Sequence, residues 1–303
     1  MSKIIRKNEL SFKEYTEGIL SGNRSVLSQA ITLAESTLPK HNALAQKVIN
    51  HCLPYTGKSI RIGITGIPGV GKSTFIETFG LYLTEEVKRT VAVLAIDPTS
   101  ERSRGSILGD KVRMEKLSVD KNAYIRPSPT SGSLGGVAQS TRETILLCEA
   151  AGFDILLVET VGVGQSETTV HSMTDFFLLL KLAGAGDELQ GIKRGIIEMA
   201  DAIIINKSDG ENVKAAKRAK VDFNRALHMY PAKRNGWSPK VKLASALNNV
   251  GSENVWTMIS KYAELGKSND FFEDKRATQN QFWLTQTIED SLKGEFYQNE
   301  TIK

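Results

Sequence analysis

Cysteine and histidine are scarce in this chain. Cys52 and Cys148 lie far apart, which excludes a paired-cysteine metal site and leaves reduced thiols in a core as the expectation. The four histidines, His41, His51, His171 and His228, form no cluster. No stretch approaches the roughly 18 apolar residues that a membrane span requires. The opening residues, MSKIIRKNELSFKEY, lack a secretory apolar core, so a cytoplasmic protein without a membrane partner is expected. Internal repeats and low-complexity tracts are also missing. The formal charge of +5 is small enough to be a solvated surface with some excess lysine, and no nucleic-acid partner is expected from it.

What is present is an ordinary globular composition, with 40% hydrophobic and 24% charged residues in 303. That length suits one α/β domain with extensions, or two small domains. Residues 1–58 read as a helical arm or cap, with Val26, Ile31 and Leu33 in one segment and Leu44, Val48 and Ile49 in the next. Pro39 and Pro54 punctuate these segments.

From residue 59 the pattern changes. Short apolar runs at 60–65, 90–96, 123–127, 154–160, 175–182, 201–206 and 240–245 alternate with helical periods. Such runs predict an α/β fold, a mostly parallel sheet with helices on both faces. Ligands on such sheets bind beyond the carboxyl ends of the strands. Residues 268–303 read as a helical extension carrying Phe282, Trp283, Ile288 and Leu292, able to pack on the domain or to face a second subunit.

The segment GITGIPGVGKST holds Gly66-x-x-x-x-Gly71-Lys72-Ser73 between a strand and a helical pattern. This is the context a phosphate-binding loop requires. Glycines let the backbone N–H groups of Gly66, Ile67, Pro68, Gly69, Val70, Gly71, Lys72, Ser73 and Thr74, proline aside, wrap phosphates at a helix N-terminus. Lys72 would reach the β- and γ-phosphates, and the Ser73 hydroxyl would coordinate Mg²⁺.

A second motif, IIINKSD, puts Asn206-Lys207-x-Asp209 at a strand end. The Asp209 carboxylate can accept two hydrogen bonds from guanine, at the ring N–H and the exocyclic amine; adenine lacks that pair of donors. Asn206 would orient the loop and touch the purine edge, and the Lys207 stem would cover the ring face. Ser245-Ala246-Leu247, after a later strand, suits the loop whose backbone N–H meets the guanine oxygen, although a plain strand-to-helix turn has the same look. GTP is favoured over ATP.

Asp97, Asp110 and Glu159 are candidate metal-shell carboxylates, direct or through water. A solvated acid or a helix cap explains any one of them alone. Three acids beside motif-bearing strand ends favour the metal. Residues 98–109 are rich in Ser, Arg and Gly, as a loop ordered by a γ-phosphate would be. Arg102 and Arg104 there are read equally as phosphate or partner contacts and as plain surface arginines. The segment ETVGVGQSE, from Glu159 to Glu167, stands where a nucleotide switch would carry Asp-x-x-Gly and a water-orienting Gln. Here the acid is Glu159, the glycine is Gly162, Val163 follows it, and Gln165 lies two residues further on.

Together GIPGVGKST, IDPTSERSRGSILGDKVRM, RPSPTSGSLGGVA, ETVGVGQSE, GAGDELQGIKRGIIEMADAIIINKSD and SAL resemble the MeaB/ArgK family, in order from about residue 60 to 250. These are P-loop GTPases that act as chaperones of adenosylcobalamin-dependent acyl-CoA mutases, methylmalonyl-CoA mutase above all. The resemblance implies the signal-recognition/MinD-like branch of the P-loop fold over residues 59–267, and a homodimer to which the C-terminal extension contributes. It implies that Asp97, Asp110 and Glu159 match positions associated with Mg²⁺. It also implies that residues 183–195 form a third switch, with Asp187, Gln190 and Lys193 as its polar members. The implied role is to gate adenosylcobalamin loading and to protect or reactivate the mutase.

On this reading Lys72, Glu159, Gly162, Gln165 and Lys193 are the candidate catalytic residues, GTP/GDP and Mg²⁺ the cofactors, and an acyl-CoA mutase the partner. Val163 predicts slow intrinsic hydrolysis, faster when the mutase orders the switches. Two other readings stand beside it. One is a non-catalytic GTP-sensing scaffold. The other is a nickel-enzyme maturation GTPase, which typically carries His- or Cys-rich sites that this chain lacks.

Overall fold

The computed structural model describes residues 10–96, 114–127, 134–160, 166–184, 194–231 and 233–298. Among these described residues seven strands form one sheet in the order β3-β2-β4-β1-β5-β6-β7. They are β1 (Ile60–Gly66), β2 (Val91–Ile96), β3 (Ala123–Arg126), β4 (Ile155–Thr160), β5 (Phe176–Leu182), β6 (Ala202–Asn206) and β7 (Lys240–Leu243). Every pairing between them is parallel. Each of the seven apolar runs in the sequence is a strand of this sheet.

The strands are continuous apolar runs because both faces are covered. On β2, Ala92, Leu94 and Ile96 enter one core, while Val91 and Val93 enter the other. A half-exposed sheet would have made every second residue polar. The first core is roofed by α1 (Phe12–Leu20), α2 (Arg24–Ala34), α3 (Pro39–Cys52) and α6 (Leu134–Ala150). The N-terminal helices therefore share a core with β2 and β4. Their starts are set locally. Ser11 and Glu14 form a capping box on α1, and Asn23 caps α2.

The second core lies under α4 (Lys72–Glu85), α5 (Glu115–Val119) and α10 (Ser252–Ser268). A third cluster packs α9 (Val213–Leu227) on β6 through Ala216, Ala219 and Phe223. Two short helices complete the layers, α7 (Ser166–His171) and α8 (Arg194–Met199). Cys52 and Cys148 are buried free thiols.

The last helix, α11 (Phe271–Gln298), is held by its first half. Trp283 is buried, donates its indole N–H to the Ser172 carbonyl at 3.1 Å, and lies under the Arg142 guanidinium. Phe282, Leu284, Ile288, Leu292 and Phe296 are exposed. Arg276 grips the amino end of the sheet. Its guanidinium donates to Asp175 at 2.8 and 2.6 Å and to the carbonyls of Gly57 and Ser59. Asp175 also accepts the Arg61 N–H, and the Arg61 guanidinium forms a two-pronged pair with Glu149 at 2.8 Å. Burial disfavours the Asp175 anion, yet the hydrogen bonds and charge of Arg276, with Arg61, outweigh it and hold the carboxyl below its ordinary range. Among the described residues no helix is long and apolar enough to cross a membrane.

Candidate nucleotide-binding site

Three loops converge at the carboxyl ends of the central strands. The first leads from β1 into α4. Gly66, Gly69 and Gly71 take φ values of 155°, 80° and 90°, open to glycine and strained for other residues. A Cβ on Gly66 would lie 2.7 Å from the Leu180 carbonyl oxygen, and one on Gly71 would lie 2.9 Å from Asn206 Nδ2. Val70 is the buried anchor of the loop, while Ile67, Pro68 and Gly69 are exposed. Gly71 is the N-cap of α4 and supplies no side-chain cap, so the first N–H groups of that helix are not closed off by a side chain.

Lys72 starts α4 and is buried. Its ammonium donates to the Gly66 carbonyl at 2.8 Å. Burial pulls its pKa down, and the negative charges of Glu159 and Glu167 oppose that. Ser73 comes next, with Thr74 exposed beside it. The Ser73 hydroxyl donates to Glu159 at a long 3.4 Å. Glu159 is 3% exposed on β4, paired in register with Ile64 of β1. The Thr160 and Thr65 hydroxyls, 2.9 Å apart, tie the same two strand ends.

The second and third loops follow β6 and β7. Asn206, 2% exposed, donates from Nδ2 to the Val70 carbonyl at 2.9 Å and accepts the Ala246 N–H at 3.4 Å. Lys207 adopts a positive φ of 53° and donates to the Gly69 carbonyl at 2.9 Å. Ser208 donates twice to the Ala244 carbonyl. Asp209 accepts the Ser245 hydroxyl. Leu247 is exposed at the rim. The sequence motifs at 66–74, 206–209 and 245–247 thus lie together.

Ser73 and Glu159 offer oxygen donors only, one of them an anionic carboxylate in a buried setting. That chemistry fits a hard divalent cation such as Mg²⁺. Among the described residues no three His, Cys, Asp or Glu side chains cluster as a metal site. The other expected ligands, Asp97 and Asp110, lie outside the described residues, as do Arg102, Arg104, Gly162, Val163, Gln165, Asp187, Gln190 and Lys193.

Sequence reasoning missed two contributors. Glu167 is buried in α7 and throws negative charge onto Lys72. Its signal was present, at the end of the segment that begins with Glu159. Thr78 donates to the Ala246 carbonyl at 2.9 Å and binds the third loop to α4, with no motif to announce it.

A glycine loop opening a helix from the central strand, with an Asn-Lys-x-Asp strand end hydrogen-bonded to it, defines a P-loop nucleotide-binding protein. Comparison narrows the class. The family model described as "Methylmalonyl Co-A mutase-associated GTPase MeaB" matches residues 27–301. A putative GTPase of Caulobacter vibrioides is 50% identical over 278 residues, 92% of this chain and 85% of the relative. GTPase ArgK of Escherichia coli is 44% identical, with 97% and 88% covered. The mouse protein named methylmalonic aciduria type A homolog, mitochondrial, is 45% identical, with 94% and 71% covered. A crystal structure titled LAO/AO transport system kinase superposes with a TM-score of 0.82 at 38% identity, over 98% of this chain and 89% of that one. The chain belongs to the MeaB family of GTPases.

Proposed function

We propose that this protein binds GTP with Mg²⁺, hydrolyses it slowly, and serves as chaperone of an adenosylcobalamin-dependent acyl-CoA mutase, methylmalonyl-CoA mutase first among the candidates. In that role it gates cofactor loading and protects or reactivates the mutase. The observation that carries the nucleotide reading is the position of Asn206, hydrogen-bonded to Val70 on the phosphate loop and to Ala246 on the third loop. A base held by Asp209 would be fixed in distance from phosphates held by Lys72. Membership of a family described as mutase-associated supports the partner.

In this reading the backbone of residues 66–74 cradles the phosphates, and Lys72 places a positive charge beside the β- and γ-oxygens. Asp209 selects guanine, Lys207 covers the ring, and the Ser245-Ala246-Leu247 loop presents N–H to the guanine oxygen. Ser73 and Glu159, with Asp97 and Asp110, would hold Mg²⁺, which neutralises phosphate charge when bound. Water attacks the γ-phosphorus in line and the bond to the bridging β–γ oxygen breaks, giving GDP and phosphate. Gly162 senses the γ-phosphate, Gln165 two residues after Val163 is the amide to test for a part in hydrolysis, and Lys193 belongs to the third switch with Asp187 and Gln190. With Val163 in place of a water-orienting Gln, positioning by the mutase becomes the accelerating step.

The exposed Leu284, Ile288 and Leu292 on α11 support a homodimer made through the C-terminal extension. The test is phosphate release from the purified full chain, with Lys72→Ala as control, in single turnover with and without mutase. Faster release with the mutase supports the reading. Equal rates would remove the gating role, and a wild type no faster than Lys72→Ala would leave a GTP-sensing scaffold.

A further inference from the structure

Helix α9 has two unlike sides. Ala216, Ala219, Phe223 and Leu227 are buried and share a core with Ile203 and Ile205 of β6 and Val241 of β7. On the opposite side Lys214, Lys217, Arg218, Val221 and Arg225 are exposed. Steps of three and four residues put them in one stripe, about 16 Å from first to last. Met229, also exposed, follows just past the helix end. None of these residues is placed at the nucleotide site.

The charge of the chain is concentrated here. Helix α9 holds five basic side chains and one acid, Asp222, so it supplies four of the five net positive charges of the protein. Among the described residues no carboxylate pairs with Lys214, Lys217, Arg218 or Arg225. The charges are also badly placed for the helix itself. Its first turn has no acid and no side-chain cap, and Lys214 stands there against the positive end of the helix dipole. Lys217 and Arg218 lie three and four residues on, where like charges repel. A helix shaped by folding alone is expected to carry acids at that end. An anionic group brought from outside relieves both the dipole and the repulsion.

The uncharged members of the stripe state what else that group carries. Val221 is 48% exposed between Arg218 and Arg225, and Met229 is 87% exposed at the far end. Apolar contacts framed by charge are the anatomy of a protein interface, where isolated exposed ion pairs contribute little. A phosphodiester chain has no apolar side chain to set on Val221, and no exposed residue of α9 is aromatic to stack a base. A lipid surface calls for Trp, Phe or Leu on the inserted side, and the exposed face of α9 has none. A polypeptide with acids and apolar side chains on one face complements the stripe.

We propose that the outer face of α9 is a docking surface for an acidic amphipathic segment of a partner protein. Carboxylates of that segment pair with Lys214, Lys217, Arg218 and Arg225, and its apolar side chains cover Val221 and Met229.

The probe is a fluorescent helical peptide of about four turns with glutamates flanking two leucines on one face, titrated with the GDP-loaded full chain at low salt and followed by anisotropy. A peptide of the same composition in scrambled order, polyuridylate and phosphatidylserine vesicles are the comparisons. The amphipathic peptide is expected to bind in the range of tens of micromolar, more tightly than any of the three, and to weaken severalfold as salt is raised. Lys214→Glu with Lys217→Glu is expected to weaken it by about tenfold or more while GDP affinity stays unchanged and the denaturation midpoint holds or rises, because the new acids suit the dipole and face Arg218 and Lys220. Val221→Ser is expected to weaken the peptide severalfold at unchanged charge. Absence of binding to the wild type overturns the proposal. So does a scrambled peptide, polyuridylate or vesicle that binds as tightly, or peptide binding that either variant leaves unchanged. Peptide binding lost together with GDP affinity and stability in the double variant overturns it as well, by assigning Lys214 and Lys217 to the fold.

Discussion

Asn206 Nδ2 and the Val70 carbonyl oxygen lie 2.9 Å apart, so one buried side chain of β6 fixes the position of the phosphate loop. Asn206→Ala removes that hydrogen bond together with the longer one to Ala246. One to two buried hydrogen bonds at about 1 kcal/mol each predict a loss of GDP affinity of roughly five- to thirtyfold. Calorimetry of GDP binding checks this. Affinity within twofold of wild type would mean that the two loops are positioned independently.

Asp209→Asn changes what the base site can accept. The carboxylate suits a base with two N–H donors, whereas an amide offers one donor and one acceptor. GTP affinity should fall by about a hundredfold, and xanthosine triphosphate, with a carbonyl in place of the exocyclic amine, should gain. Competition between the two nucleotides on wild type and variant measures the switch. A variant that keeps its guanine preference would assign base reading elsewhere.

Gly71→Ala places a Cβ 2.9 Å from Asn206 Nδ2 at a φ of 90°. The strained backbone alone costs roughly 1–3 kcal/mol. The expected result is a lower midpoint in chemical denaturation and weaker GDP binding together. Loss of binding at full stability would instead mark Gly71 as a purely local contact.

Much of this was legible in the chain. Each of the seven strands could be found because burial on both faces erased polar alternation, as in Val91–Ile96. Gly66, Lys72, Asn206 and Asp209 could be found because phosphate and guanine chemistry leaves few choices at those spacings. The Arg276 and Asp175 pair could not, because an arginine on a helix and an aspartate before a strand are each ordinary, and only the packing of α11 brings them together. Thr78 was hidden for the same reason, whereas Glu167 was legible as the acid that closes the ETVGVGQSE segment.

Arg276→Met leaves the Asp175 carboxylate buried with fewer donors. Breaking such a pair costs about 3–5 kcal/mol. Because the folded state holds the Asp175 carboxyl below its ordinary value of 3.8, its stabilising effect is complete above that value and is lost as pH falls through the lower folded one. Urea denaturation of the variant at neutral pH should show the loss, and it should narrow toward strong acid. A loss that does not depend on pH would assign it to packing.

His171 gives a second pH signature. Burial first, then Lys275 with Lys233, lower its pKa from 6.5 to about 4, while Asp201 opposes them; the face of the Phe177 ring edge adds no charge. The unfolded chain therefore binds a proton that the folded chain refuses between those values. Stability is expected to fall by roughly 2–3 kcal/mol as pH drops from 6.5 toward 4. His171→Gln should flatten that part of the stability profile, and an unchanged slope would place its origin in other groups.

The exposed residues Leu284, Ile288, Leu292 and Phe296 follow one another at intervals of four along α11. A two-stranded rope of helices needs a repeat near 3.5 residues, which a row of fours cannot sustain. Such a row is a slanted ridge, and ridges of this kind mesh at crossing angles of about −50°. Another helix seated on α11 therefore crosses it over a turn or two and leaves, so the contact is a short oblique one whose strength lies in a few large side chains.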